Sequence, residues 1–159
     1  MALRWIAGLI LLQISLLGLL VDPMVGDAYT AGDLHRLLFG PALAVGKLMP
    51  ALTLYNQHGR QRVIFTRQPQ PTTLILSGCS TCSLARIRDW SETARLRGDR
   101  VVVVFNSTPK QFASLCRSWR GPGELYRASS PSLYRSLGAD MLPLQVYITR
   151  EGTIFHVGT

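Results

Sequence analysis

Two cysteines three apart, Cys79 and Cys82, stand directly behind a short apolar run and directly ahead of an amphipathic one. The run Thr72-Thr73-Leu74-Ile75-Leu76-Ser77 predicts a strand, and Gly78 predicts the turn after it. Leu84, Ile87, Trp90 and Ala94 share one side of a helix predicted over 81–97. A strand that passes straight into a helix implies a crossover to another strand, and hence a parallel sheet core. The placement also sets the chemistry. A cysteine at a helix N-terminus meets unpaired backbone N–H groups and the positive end of the helix dipole. Both favour a thiolate, which makes Cys79 a nucleophile near neutral pH. Cys82, one turn on, is placed to attack the mixed disulfide that forms, and Ser80 and Thr81 between them tune the potential.

The same spacing occurs in structural pairs and in half-sites for zinc. A tetrahedral zinc site needs two further ligands. His35, His58 and His156 are dispersed and read as surface or hairpin residues. Cys116 falls with Phe112, Leu115 and Trp119 on an apolar helical face, where a free cysteine behaves as a small hydrophobe. Trp90 and Trp119 read as core. The expectation is therefore redox chemistry with no metal and no cofactor. Three cysteines also do not make a disulfide scaffold.

Bulk properties narrow the class further. A chain of 159 residues suffices for one domain and a targeting segment. With 47% hydrophobic and 16% charged residues it is not a disordered chain. The net charge of +8 comes from 15 arginines and 2 lysines set against nine acids. The arginines are scattered, with no aromatic-interleaved basic stripe, so they read as a solvated face and nucleic acid is not an expected partner.

The leader is the second strong signal. Trp5 to Val21 contains no charged residue, with Arg4 ahead of it and Asp22, Asp27 and Asp33 behind. That length is at the short limit for a membrane span and long for a signal-peptide core. The charge bias keeps the N-terminus in the cytoplasm and sends the rest across. Gly26 and Ala28 form a small-x-small pair that would suit cleavage. Residues 1–28 are thus expected to be a membrane anchor or signal segment. Residues 29–44 are expected to be a juxtamembrane linker with a short helix, opened by the capping box Thr30-Ala31-Gly32-Asp33 and closed by Gly40-Pro41. Residues 45–159 form the domain, facing the periplasm or another extracytoplasmic space.

Within the domain, Leu52–Tyr55 and Arg62–Phe65 flank Asn56-Gln57-His58-Gly59, a hairpin signal. Val101–Phe105 is a continuous β-branched run that reads as a central buried strand. Thr108-Pro109 and Ser130-Pro131 each open a helix, closed by Gly121-Pro122 and Gly138. A short strand fits 124–126. Strands over 144–149 and 153–157 close the chain around Arg150-Glu151-Gly152.

On these residues the chain resembles the thioredoxin superfamily. Within it, the chain is most similar to redoxin-type, membrane-anchored thiol–disulfide oxidoreductases of bacteria. Those include reductants for cytochrome c maturation and accessory proteins of the methylamine dehydrogenase kind. The resemblance rests on Val45-Gly46-Lys47-Leu48-Met49-Pro50, on Gly78-Cys79-Ser80-Thr81-Cys82, on Leu142-Pro143-Leu144 and on the hairpin 148–154. It implies an α/β, thioredoxin-like mixed sheet flanked by helices behind an N-terminal transmembrane or signal helix. It implies catalysis by Cys79 and Cys82, supported by Gly78, Ser80, Thr81, Leu142 and a cis Pro143. It also implies a protein thiol or disulfide as substrate, and a membrane-bound electron donor as a candidate partner. Family members carry Trp where Gly78 stands, a buried acid at the position of Thr73 and a Glu at that of Ala85, so Cys82 has no evident base. These departures support an alternative, a non-catalytic assembly or copper-handling module. A peroxidase would need a hydroxyl where Leu76 stands. Members also end in a helix after the last strand, and none follows here. With Val146, Ile148, Ile154 and Phe155 divided between faces by alternation, an exposed apolar patch over the last strands is expected, met by 34–38, a bilayer or a partner.

Overall fold

A computed structural model of the protein describes residues 42–64, 69–78, 84–130, 132–139 and 141–159. The leader 1–28, most of the linker 29–44 and the dithiol residues Cys79, Ser80, Thr81 and Cys82 lie outside the described residues. Among the described residues, no helix is long and apolar enough to cross a membrane.

The elements are β1 (Leu52–Tyr55), β2 (Gln61–Ile64), β3 (Thr72–Ser77), α1 (Leu84–Leu96), β4 (Arg100–Phe105), α2 (Pro109–Ser118), β5 (Glu124–Ala128), α3 (Ser132–Leu137), β6 (Leu144–Ile148) and β7 (Ile154–Gly158). They form one seven-stranded mixed sheet in the order β2-β1-β5-β4-β3-β6-β7. β3, β4 and β5 run parallel, and β1, β2, β6 and β7 pair antiparallel at the two sides. The α1 and α2 crossovers step the same way along the sheet, β3 to β4 to β5. The common handedness of such crossovers puts both helices on one face. The α3 crossover returns from β5 past β4 and β3 to β6, so it lies on the other face.

Alternation along the strands feeds both layers. Ile75, Val101, Val103 and Phe105 meet Ile87 and Ala94 of α1 and Phe112 and Leu115 of α2 in one core. Leu74, Leu76, Val102 and Val104 meet Tyr134 and Leu137 of α3 in the other, with Val146, Ile148 and Ile154. β3 is buried at every position, which its apolar run demands. Leu43, read from sequence as linker, is buried in the second of these cores, and its N–H donates to Leu137 O at 3.2 Å.

Local chemistry sets the turns. Asn56 Oδ1 accepts from His58 N at 3.0 Å and Arg60 N at 2.9 Å, and Gly59 takes the positive φ of +71° that closes the β1–β2 hairpin. Thr108 caps α2 in a capping box with Gln111.

One expectation is corrected. Three of the four apolar residues expected over the last strands share one face, and Phe155 takes the other. Val146, Ile148 and Ile154 are all buried in the α3-side core, with Val157 packed against it. A register shift explains this. Tyr147 pairs with His156 but Ile148 pairs with Ile154, so Phe155 is the extra residue of a bulge. The opposite face carries Gln145 and Tyr147, with the His156 ring 5.4 Å from Tyr147 and the Arg97 guanidinium 4.6 Å above the Tyr147 ring. Only Phe155 stands out there, 71% exposed and alone. The described residues of that face thus expose one large apolar side chain rather than a broad patch.

Candidate functional site

The site is built at the C-terminal ends of the parallel strands. Ser77 ends β3, fully buried and paired with Phe105 of β4. Its carbonyl accepts from Asn106 N at 3.0 Å, one step beyond the ladder. Gly78 follows and is exposed. The two cysteines therefore enter the chain immediately after the best-buried strand of the sheet.

β6 brings Leu142 and Pro143 to the same end, because it runs antiparallel to β3 with Leu144 opposite Leu76. The Leu142–Pro143 bond is cis, as the resemblance implies. A Cβ placed on Gly78 would lie 2.9 Å from Leu142 Cδ1 and 3.4 Å from Leu142 Cβ. Glycine at 78 and leucine at 142 thus complement each other. The space beside the turn is filled from the proline loop and not by a side chain at 78. Of the predicted site residues, the structure brings Gly78 and Leu142 into contact, with Pro143 next to Leu142 in the chain.

Tyr134 was not foreseen. Its hydroxyl, buried inside the α3-side core, donates between Val104 O at 2.8 Å and Ser77 O at 3.0 Å. It ties the ends of β3 and β4 together at the residue before the dithiol turn. Burial pushes the phenol well above its ordinary pKa, so it stays a donor throughout the biological pH range. The sequence placed it only within a short helix between Ser130-Pro131 and Gly138.

Thr73, the position at which the resemblance implies a buried acid, is fully buried here. Its hydroxyl donates to Asp99 Oδ2 at 2.7 Å, and that oxygen also takes Arg97 Nη2 at 2.8 Å. A carboxylate does stand against residue 73, brought by the loop after α1 and held in an ion pair.

Cys116 is half-buried and packs beside the α1/α2 core with Trp119, and Trp90 packs there too. Burial raises its thiol pKa, which disfavours the thiolate that exchange needs. It borders a cavity of about 370 Å³ with His58, Trp119 and Glu124. Among the described residues, no three His, Cys, Asp or Glu side chains gather to hold a metal.

No protein-family model matches the chain, and no curated protein matches it. Solved structures do. A peroxiredoxin-like protein from Aquifex aeolicus is 16% identical with a TM-score of 0.61, over 75% of this chain and 77% of that one. The thioredoxin domain of a thiol-disulfide oxidoreductase from Bacteroides vulgatus is 15% identical with a TM-score of 0.56, over 74% and 89%. A protein assigned as a DsbE thiol:disulfide interchange protein from Chlorobium tepidum is 15% identical with a TM-score of 0.61, over 74% and 86%. This likeness establishes a thioredoxin-like fold.

Proposed function

We propose that the protein is a thiol–disulfide oxidoreductase that acts on protein substrates outside the cytoplasm, held at the membrane by its leader. One observation carries the reading. A C-x-x-C stands just past Ser77, at the C-terminal end of an interior strand of a thioredoxin-like sheet, and Leu142 of the proline loop closes against Gly78.

In the reducing direction, the Cys79 thiolate attacks a substrate disulfide. One Cys79–substrate disulfide forms and one substrate thiolate leaves. The Cys82 thiolate then attacks the Cys79 sulfur and releases the second substrate thiolate. Two protein thiols become one disulfide, one substrate disulfide becomes two thiols, and two electrons pass to the substrate. The oxidising direction is the reverse. A dithiol donor in the membrane would restore the reduced state.

Leu76, three residues before Cys79, is fully buried in the core and offers no hydroxyl to a peroxide. A copper-handling module remains the alternative reading. The test is a trap. Cys82→Ser in the full chain should accumulate a reducible mixed disulfide with substrate proteins, lost in the Cys79→Ser Cys82→Ser double variant. Stoichiometric Cu(I) binding by a full chain that exchanges with no protein disulfide would favour the alternative.

A further inference from the structure

Beside the dithiol end of the sheet lies a cavity of about 360 Å³ that the exchange chemistry does not use. It opens between the C-terminal ends of β4 and β5 and the first turn of α2. Asn106, Ser107, Thr108, Gln111, Arg127 and Ser130 line it, and no carboxylate does. We propose that this cavity is a substrate subsite for a carboxylate carried beside the reacting cysteine of a polypeptide. The proposal rests on the thiol–disulfide reading above and names its substrate class, an acidic peptide segment.

Four features point to an anion. Among the described residues, Arg127 is the only charged one in the lining and no carboxylate pairs with it. Its guanidinium sits 4.6 Å above the Tyr55 ring, which fixes the plane of the fork, and its Nη1 donates only to Ala128 O at 3.3 Å. Such a fork suits a carboxylate. Ser107 Oγ is buried and has no hydrogen-bond partner. A buried hydroxyl without a partner is costly, and a turn of the side chain toward the cavity would let an incoming oxygen remove that cost. Finally, the first turn of α2 carries no acidic residue, so only the neutral capping box of Thr108 and Gln111 faces its positive end.

Position ties the cavity to the dithiol. Asn106 borders it, and Asn106 N is bonded to Ser77 O at 3.0 Å. Cys79 follows Ser77 by two residues, and two residues of chain reach at most about 7 Å. An extended peptide advances about 3.3 Å per residue. A Glu or Asp two or three residues from the attacked cysteine can therefore reach the cavity. The net charge of +8 favours the same substrates at longer range.

The test uses reduced full-length protein and two synthetic peptides closed by one disulfide. They differ only in Glu or Gln two residues from a cysteine. The Glu peptide should exchange about fivefold faster at low salt, from one partly exposed charge-assisted contact. Arg127→Gln should bring the ratio to about one, and Arg127→Lys, which keeps the charge and lacks the fork, should fall between. Equal rates for the two peptides, or a preference that persists in Arg127→Gln, would overturn the subsite. Exchange with neither peptide would instead refute the dithiol reading. The cavity is then judged by titrating cysteine-free versions of both peptides into the full chain and following the Arg127 side-chain resonance. Tighter binding of the Glu form supports the subsite, and equal binding overturns it.

Discussion

Replacing Tyr134 with Phe removes one hydroxyl and leaves the packing of the ring in place. That hydroxyl has a single proton, shared between Val104 O at 2.8 Å and Ser77 O at 3.0 Å, so it counts as one buried hydrogen bond. Such a bond contributes about 0.5–1.5 kcal/mol net. Ser77 O keeps its bond from Asn106 N, so any penalty for a carbonyl left short of a partner falls on Val104 O alone. The loss should be about 1–2 kcal/mol, or a melting point lower by roughly 2–4 °C per kcal/mol for a chain of 159 residues. Urea unfolding of the reduced full chain measures it. The pH dependence adds a second readout. Burial raises the Tyr134 phenol above its ordinary 10.0. Its contribution to stability is therefore complete below pH 10 and is lost as pH rises through the raised folded-state value. The deficit of Tyr134→Phe should shrink above pH 10. A variant within about 0.3 kcal/mol of the native chain at pH 7, or a deficit that grows with alkali, would refute the reasoning.

Gly78→Trp must displace Leu142 Cδ1, the far end of a flexible side chain. It should cost about 1–2 kcal/mol by thermal melting, and pairing it with Leu142→Ala should recover part of that loss. Glu124 takes both Arg100 Nε at 2.6 Å and Nη2 at 3.0 Å, and Arg100 holds its carboxyl below the ordinary 4.5. That stabilisation is present above pH 4.5 and lost as pH falls through the lowered value. Glu124→Gln should cost about 0.5–1 kcal/mol at pH 7 and flatten the acid limb of a stability–pH curve. Cys79 should alkylate faster than Cys82 in the reduced protein at pH 6, read by mass mapping, since only Cys79 precedes the helix predicted over 81–97.

Much of the architecture was legible because periodicity reports burial. The six apolar or small residues of β3 and the Val101–Val104 run announced the two central strands, and Leu84, Ile87 and Ala94 announced the helix between them. β5 was legible only as a short fragment. Its buried residues Tyr126 and Ala128 alternate with Leu125 and Arg127, and it is held as a full member by parallel pairing to β4. Contacts far apart in sequence were not legible. Thr73 and Asp99 are 26 residues apart, and Tyr134 and Ser77 are 57 apart. No local pattern encodes either. The bulge at Phe155 was also hidden. One inserted residue leaves the composition of a strand unchanged while it changes which face its neighbours meet, and here it puts Ile154 rather than Phe155 opposite Ile148. Gly78 looked like a departure from the family pattern until Leu142 was seen against it.

The central claim is that Cys79 and Cys82 exchange two electrons with a protein disulfide, and thiol counting tests it most directly. Reduced full chain is mixed with an excess of disulfide-bonded insulin, quenched in acid, alkylated and mapped by mass. The account predicts that two alkylatable thiols disappear, both from Cys79 and Cys82. Insulin gains two in return, and Cys116 stays alkylatable throughout. Loss of the Cys116 thiol in step with insulin reduction, or an unchanged count at Cys79 and Cys82, would contradict it.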